Sequence, residues 1–104
     1  MRARIVGWAY VPRPGEDPRG PYSSHDEAIR AAETSAVAAG ADRDGWTWER
    51  AVHEVEARMP DGGRALDRYG DDLVEVVDVY YWCAPDDYDG AYAPRVEPII
   101  EVTP

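Results

Sequence analysis

Trp46-Thr47-Trp48-Glu49-Arg50-Ala51-Val52-His53-Glu54-Val55-Glu56-Ala57-Arg58-Met59 supports two incompatible readings, and the architecture turns on the choice between them. Trp48, Val52, Val55 and Met59 recur at helical spacing. Trp46 and Trp48, then Val55, Ala57 and Met59, alternate as in a strand with a change of face between them. Pro60-Asp61-Gly62-Gly63 follows and is a strong turn signal. The favoured reading is strand–turn–strand, residues 46–59 and 63–69. The competing helix would cover a sheet face that the strand reading leaves open.

The neighbouring segments supply that sheet. Residues 73–83, Leu-Val-Glu-Val-Val-Asp-Val-Tyr-Tyr-Trp-Cys, are rich in residues that suit a pleated surface, and both faces are mostly apolar. They predict a central strand. Residues 3–11 predict another strand, with Ala3, Ile5, Gly7, Ala9 and Val11 on a small apolar face and Arg4, Val6, Trp8 and Tyr10 on a large aromatic one. Residues 12–22 hold four prolines and two glycines and read as a loop, as do residues 84–95. Residues 96–103 read as a last strand, placed at an edge by Pro98.

One helix is expected over about residues 25–39. Ser24 caps it, and Glu27 stands where a capping box needs an acid. Ala28, Ile29, Ala32, Ala36 and Ala39 form its apolar stripe, and Gly40 can end it. A stripe of alanines lets the helix lie close to a sheet, which suits the small face of the first strand. The fold class is therefore α+β, a mainly antiparallel sheet of four or five strands with one long helix on one face, in a single domain covering 1–104. On this reading the aromatic pairs Trp8/Tyr10, Trp46/Trp48 and Tyr80/Trp82 gather on the opposite face. Loops 12–22 and 84–95, a second copy of the chain, or another protein would cover them.

The formal net charge is −10, and it is unevenly spread. Residues 70–104 hold nine acids and one arginine, against twelve acids and ten arginines in residues 1–69. This places a negative field beside Tyr80, Tyr81, Trp82, Tyr88 and Tyr92 and points to a basic partner. It argues against direct binding of nucleic acid, whose phosphates the chain would repel. Lysine and phenylalanine are absent, and the seven tyrosines and four tryptophans are of the kind enriched at interfaces.

Chemistry-bearing motifs are weak. The single cysteine, Cys83, excludes an internal disulfide and a multi-thiolate zinc site, and suits a reducing cytoplasm. Asp86-Asp87-Tyr88-Asp89-Gly90 resembles a calcium loop but fails the EF-hand spacing, which would put Pro85 first and Val96 twelfth. A turn is the better reading there and at Asp71-Asp72. A Cys83–His53 nucleophile pair has no supporting signature. The N-terminal apolar stretch breaks at Pro12 and Pro14, too soon for a signal peptide, and no apolar run reaches a membrane span.

The expectation is a cytoplasmic, non-enzymatic protein-interaction module that needs no cofactor or metal and binds a protein with a basic surface rather than nucleic acid or membrane. Asp71, Asp72, Tyr80, Trp82, Asp86, Asp87, Tyr88, Asp89 and Tyr92 are the partner-binding candidates, with the aromatics as anchors and the acids steering approach. If that partner handles nucleic acid, the protein would inhibit it by mimicry of DNA, as phage-encoded anti-defence proteins do. The alternatives are a homodimeric accessory domain using the aromatic sheet face, and a small ligand-binding or hydrolase domain. A concave pocket with His53 or Cys83 beside carboxylates would favour the last of these.

Overall fold

The computed structural model describes residues 2–13, 15–38, 47–83 and 94–103. The chain runs β1 (Arg2–Val11), β2 (Arg19–Tyr22), α1 (His25–Ala38), β3 (Thr47–Glu56), β4 (Val74–Cys83) and β5 (Arg95–Thr103). The strands form one five-stranded sheet in the order β2-β1-β5-β4-β3, with every named pair antiparallel. Residues 47–56 are thus a strand, as favoured. Residues 63–69 form no second strand; they make only the isolated bridges Arg58↔Arg64 and Leu66↔Asp72. Among the described residues no helix is long and apolar enough to cross a membrane.

α1 starts where its sequence signals place it. The Ser24 hydroxyl accepts from the Glu27 amide at 3.2 Å. The Glu27 carboxylate turns back one residue further than a standard capping box, accepting from the amide and hydroxyl of Ser23 at 3.3 and 3.0 Å. Ala28, Ala32 and Ala36 are the buried stripe.

That stripe packs on the aromatic face, not the small one. Ala28 and Ala32 are buried with Tyr10 and Val96, against which Trp8, Tyr22, Trp48 and Tyr80 pack, while Ala36 meets Trp82 and Trp48. The expected arrangement is reversed because bulk has to come from one partner. Alanines let the helix backbone approach, and the rings fill the remaining space. Trp82 and Trp48 stack with centroids 6.0 Å apart. The Trp48 indole N–H donates to Glu33 Oε1 at 2.7 Å. Of the aromatics expected to need loops, a second copy or a partner, Trp8, Tyr10, Trp48, Tyr80 and Trp82 are thus covered by the chain's own helix, and Trp46 lies outside the described residues.

Two further expectations fail for identifiable reasons. Residues 12–22 were expected to be loop, yet Arg19–Tyr22 pair with β1 as an edge strand, where Pro21 is tolerated. Gly20 makes this seam: its φ is +140°, and a Cβ there would lie 3.0 Å from the Trp8 carbonyl. β5, expected at an edge, is the central strand. The Pro94 carbonyl accepts from Trp82, and Ile100 and Val102 bond to Arg58. Even-numbered residues of β5 therefore direct their backbone groups away from β1. β4 serves that edge near Val96 and Arg58 serves it at Ile100–Val102. Pro98 falls at the changeover, where an N–H has no strand to meet.

Between those two attachments the β3–β4 ribbon twists away from β5. At one end β4 lies next to β5; at the other the chain leaving β3 does, with the Arg58 amide donating to Ile100 and the Ala57 amide to Leu73. Two-stranded ribbons twist strongly. The space so enclosed holds the second core cluster, Val55, Ala57, Ala65, Val79, Ile100 and Val102. In β1, Ile5 pairs with Ile100 and Gly7 with Ile99, so Val6 is an extra, bulged residue. The bulge breaks the simple alternation expected of this strand: Ile5 lies with Trp8, His25 and Tyr80, and Val6 lines the opposite cleft.

Two stability measurements follow from this packing. Trp82→Ala empties a site that is only 3 % exposed and is expected to lose about 3–5 kcal/mol in chemical denaturation. Ser24→Ala removes the cap bond and is expected to lose about 1 kcal/mol.

Candidate functional site

The sequence-derived candidates among the described residues, Asp71, Asp72, Tyr80 and Trp82, do not form one surface. Trp82 is core and offers nothing to a partner. Tyr80 is half-buried, its ring 4.6 Å from that of His25. His25 in turn meets Trp8 edge-on at 4.9 Å, and its Nε2 is buried with no hydrogen-bond partner. Asp71 and Asp72 belong to the turn before β4, as their Asp-Asp sequence suggested. The Asp71 amide donates to Asp67 Oδ1 at 3.1 Å, and Asp72 accepts from Arg64 Nε at 2.7 Å. That bond and the charge of Asp72 raise the Arg64 pKa above its ordinary value. Asp86, Asp87, Tyr88, Asp89 and Tyr92, and the Cys83 side chain, lie outside the described residues.

An uncovered apolar surface lies elsewhere on β4. α1 covers Tyr80 and Trp82 and leaves Val74 and Val76, on the same face of β4, exposed. In the β3–β4 ladder Val52 pairs with Asp78, Glu54 with Val76 and Glu56 with Val74. Side chains two apart on a strand share a face, so Val52, Val74 and Val76 stand together among Glu54, Glu56 and Asp78. Val52 and Val76 are 67 % and 65 % exposed, and Val74 is also exposed. Glu56 pairs with Arg58 at 3.1 Å. Glu54 and Asp78 make no ion pair within the described residues, and Arg50 stands at the Tyr80 end of the same face.

These valines were missed because their types and alternation match core strand residues. The only available signal was the interleaving of Glu54, Glu56 and Asp78 with them, which marks a face in contact with water.

The other side of the sheet carries an open cleft of about 800 Å³. Ala9, Val11 and Ile99 line it together with Pro18–Pro21 and the run Glu54–Glu56. This is the small face of β1, left without a helix. Arg95 donates from Nε to Glu97 Oε2 at 2.9 Å and from Nη1 to His53 Nε2 at 3.2 Å. Since arginine only donates, Nε2 of His53 accepts. Glu97 is 8 % exposed and Arg95 is its counter-charge. Glu16, Arg19 and Glu54 occur in the same lining without ion pairs among the described residues.

No protein-family model matches the chain, and no curated protein and no solved structure matches it.

Arg95→Met leaves the Glu97 carboxylate buried without its partner, and urea denaturation is expected to show a loss of about 3 kcal/mol. The double variant Arg95→Met/Glu97→Leu is expected to recover most of it, because no isolated charge then remains.

Proposed function

We propose that the protein is a non-enzymatic binding module that docks a basic surface of another protein on the bare end of the β3–β4 ribbon. The observation that carries this reading is the group Val52, Val74 and Val76, exposed and interleaved with Glu54, Glu56 and Asp78. An apolar centre with a charged border is the usual anatomy of a protein interface. The sign of the border and the net charge of −10 select a cationic partner. The same sign disfavours nucleic acid as the direct ligand. A partner whose basic surface handles nucleic acid would be occluded, which makes inhibition one outcome of such docking. A cytoplasmic setting is part of the proposal and accords with the single cysteine.

The open cleft favours a second reading, a domain that binds a ligand across the concave sheet face. Its principal charges are already paired within the chain, Arg95 with Glu97 and Arg58 with Glu56. Glu16, Arg19 and Glu54 in the same lining stay without ion pairs among the described residues and are the charges such a ligand would meet.

Val76→Arg/Asp78→Arg tests the docking face, since both residues are exposed and the fold should tolerate the change within about 0.5 kcal/mol each. Wild type and variant are immobilised and used side by side for capture from cell lysate at low and moderate salt. The expected result is a basic protein held by wild type, lost in the variant, and weakened as salt rises. Identical capture by both proteins would reject this face.

A further inference from the structure

We infer that β3 is a self-complementary edge through which two copies of this chain join their sheets, antiparallel, about a two-fold axis at Val52. The inference shares Val52, Glu54 and Glu56 with the proposed docking face, but it is carried by the backbone edge of β3 and the Arg50–Glu54 pairing and does not use Val76 or Asp78, on which the docking test rests.

β3 ends the sheet order, so one of its edges is unpaired among the described residues over its named length. The direction of its backbone groups is fixed by two bonds just beyond the strand. The Ala57 amide donates to Leu73, continuing the β3–β4 ladder, and the Arg58 amide donates the opposite way to Ile100. Odd-numbered residues of β3 therefore face β4. Trp48, Arg50, Val52, Glu54 and Glu56 direct their N–H and C=O groups outward. Such a row is a template for another strand unless it is blocked. No proline or glycine interrupts it, and the residues from Glu49 to Glu54 are all exposed.

The side chains select the partner. With the axis at Val52, each Val52 faces its symmetry mate. Each Arg50 faces the partner's Glu54, giving two opposite-charge pairs, and Trp48 faces the partner's Glu56. The neighbouring registers are worse. An axis at Arg50 opposes two arginines, and one at Glu54 opposes two carboxylates. An axis at Ala51 sets Arg50 against Val52, and one at His53 sets Val52 against Glu54. The Val52-centred register alone combines a valine pair at the centre with charge pairs on both sides. It is an isologous contact, which closes as a dimer and does not propagate into a filament. α1 packs chiefly on β1 and β5 and meets β3 at Trp48, and β5 takes up Arg58 beyond the other end, so the open stretch of the edge is Arg50–Glu54 around Val52.

Neither Arg50 nor Glu54 makes an ion pair within the described chain, so reversing either leaves intrachain ion pairs intact. Sedimentation equilibrium of the full chain over a concentration series tests the inference, with far-UV circular dichroism to confirm that each variant is folded. Wild type is expected to dimerise. Arg50→Glu and Glu54→Arg singly are expected to weaken the dimer roughly tenfold or more, because each turns two attractions into repulsions. Arg50→Glu/Glu54→Arg restores opposite charges and is expected to dimerise again. A wild-type chain that stays monomeric throughout would overturn the inference. So would single variants that dimerise as wild type does, or a charge swap that stays monomeric. Loss of capture by Val76→Arg/Asp78→Arg bears on the docking face alone, so the two proposals fail separately.

Discussion

The contact between three alanines of α1 and the aromatic side of the sheet determines what the rest of the molecule can do. Ala28, Ala32 and Ala36 bring the helix backbone close, and Tyr10, Trp82 and the rings around them fill the space. This commits the large side chains to the interior and leaves the small face of β1 open as a cleft. It also limits the cover. Fourteen residues of helix span about 21 Å, and α1 lies chiefly over β1 and β5. Among the described residues it packs on β4 at Tyr80 and Trp82. The same face of the same strand is thus dry core at one end and exposed valine at the other.

The twist of the β3–β4 ribbon is the second constraint. β5 has two neighbours on one edge, β4 near Val96 and the chain after β3 near Ile100. Serving both requires the ribbon to rotate between them, and a strand with a missing donor at the crossing makes this easier, since no hydrogen bond has to be given up there. Pro98 occupies that position. A residue that looks like an edge marker in the sequence therefore sits in the middle of the central strand, because the ladder is interrupted beside it and not at the sheet's border.

Much of the fold was legible. The start of the helix, the strand character of 47–56 and 74–83, and the α+β class follow from spacing, capping residues and β-rich composition; Ala39 and the expected cap Gly40 lie outside the described residues. What was not legible depends on which elements meet. Strand alternation sorts Trp8 and Tyr10 from Ala9 and Val11, yet it does not say which set a helix will choose. The bulge at Val6 disrupts the alternation, and Gly7 beside it, a glycine inside a strand, was the signal that could have announced it. β2 hides in Arg19-Gly20-Pro21-Tyr22, whose composition says loop, because the proline and glycine are accommodated at an edge. Of the expected anchors, Tyr88 and Tyr92 lie outside the described residues, while Trp82 was misread, having the residue type of an interface anchor and the burial of a core residue. Val52, Val74 and Val76 have the opposite combination.

Charge shows the same gap between order in sequence and position in space. The last third of the chain is strongly acidic, but antiparallel pairing and the turns bring arginines to it, Arg4 to Glu101 and Arg64 to Asp72, and its own Arg95 pairs with Glu97 two residues along β5. Three of the six described carboxylates beyond residue 69, Asp72, Glu97 and Glu101, are so paired, leaving Asp71, Glu75 and Asp78. Two of these pairs form through the arginine Nε, an oriented contact that lysine cannot reproduce. The acidic character of the valine face is instead assembled from two strands, Glu54 and Glu56 on β3 and Asp78 on β4, whose charges sit in different thirds of the chain. A block of acids in a sequence is therefore a poor guide to the field at a surface. In this molecule the ladder that pairs Val52 with Asp78 and Glu54 with Val76 creates a local negative border, while the fold partly neutralises the acidic segment that drew attention first.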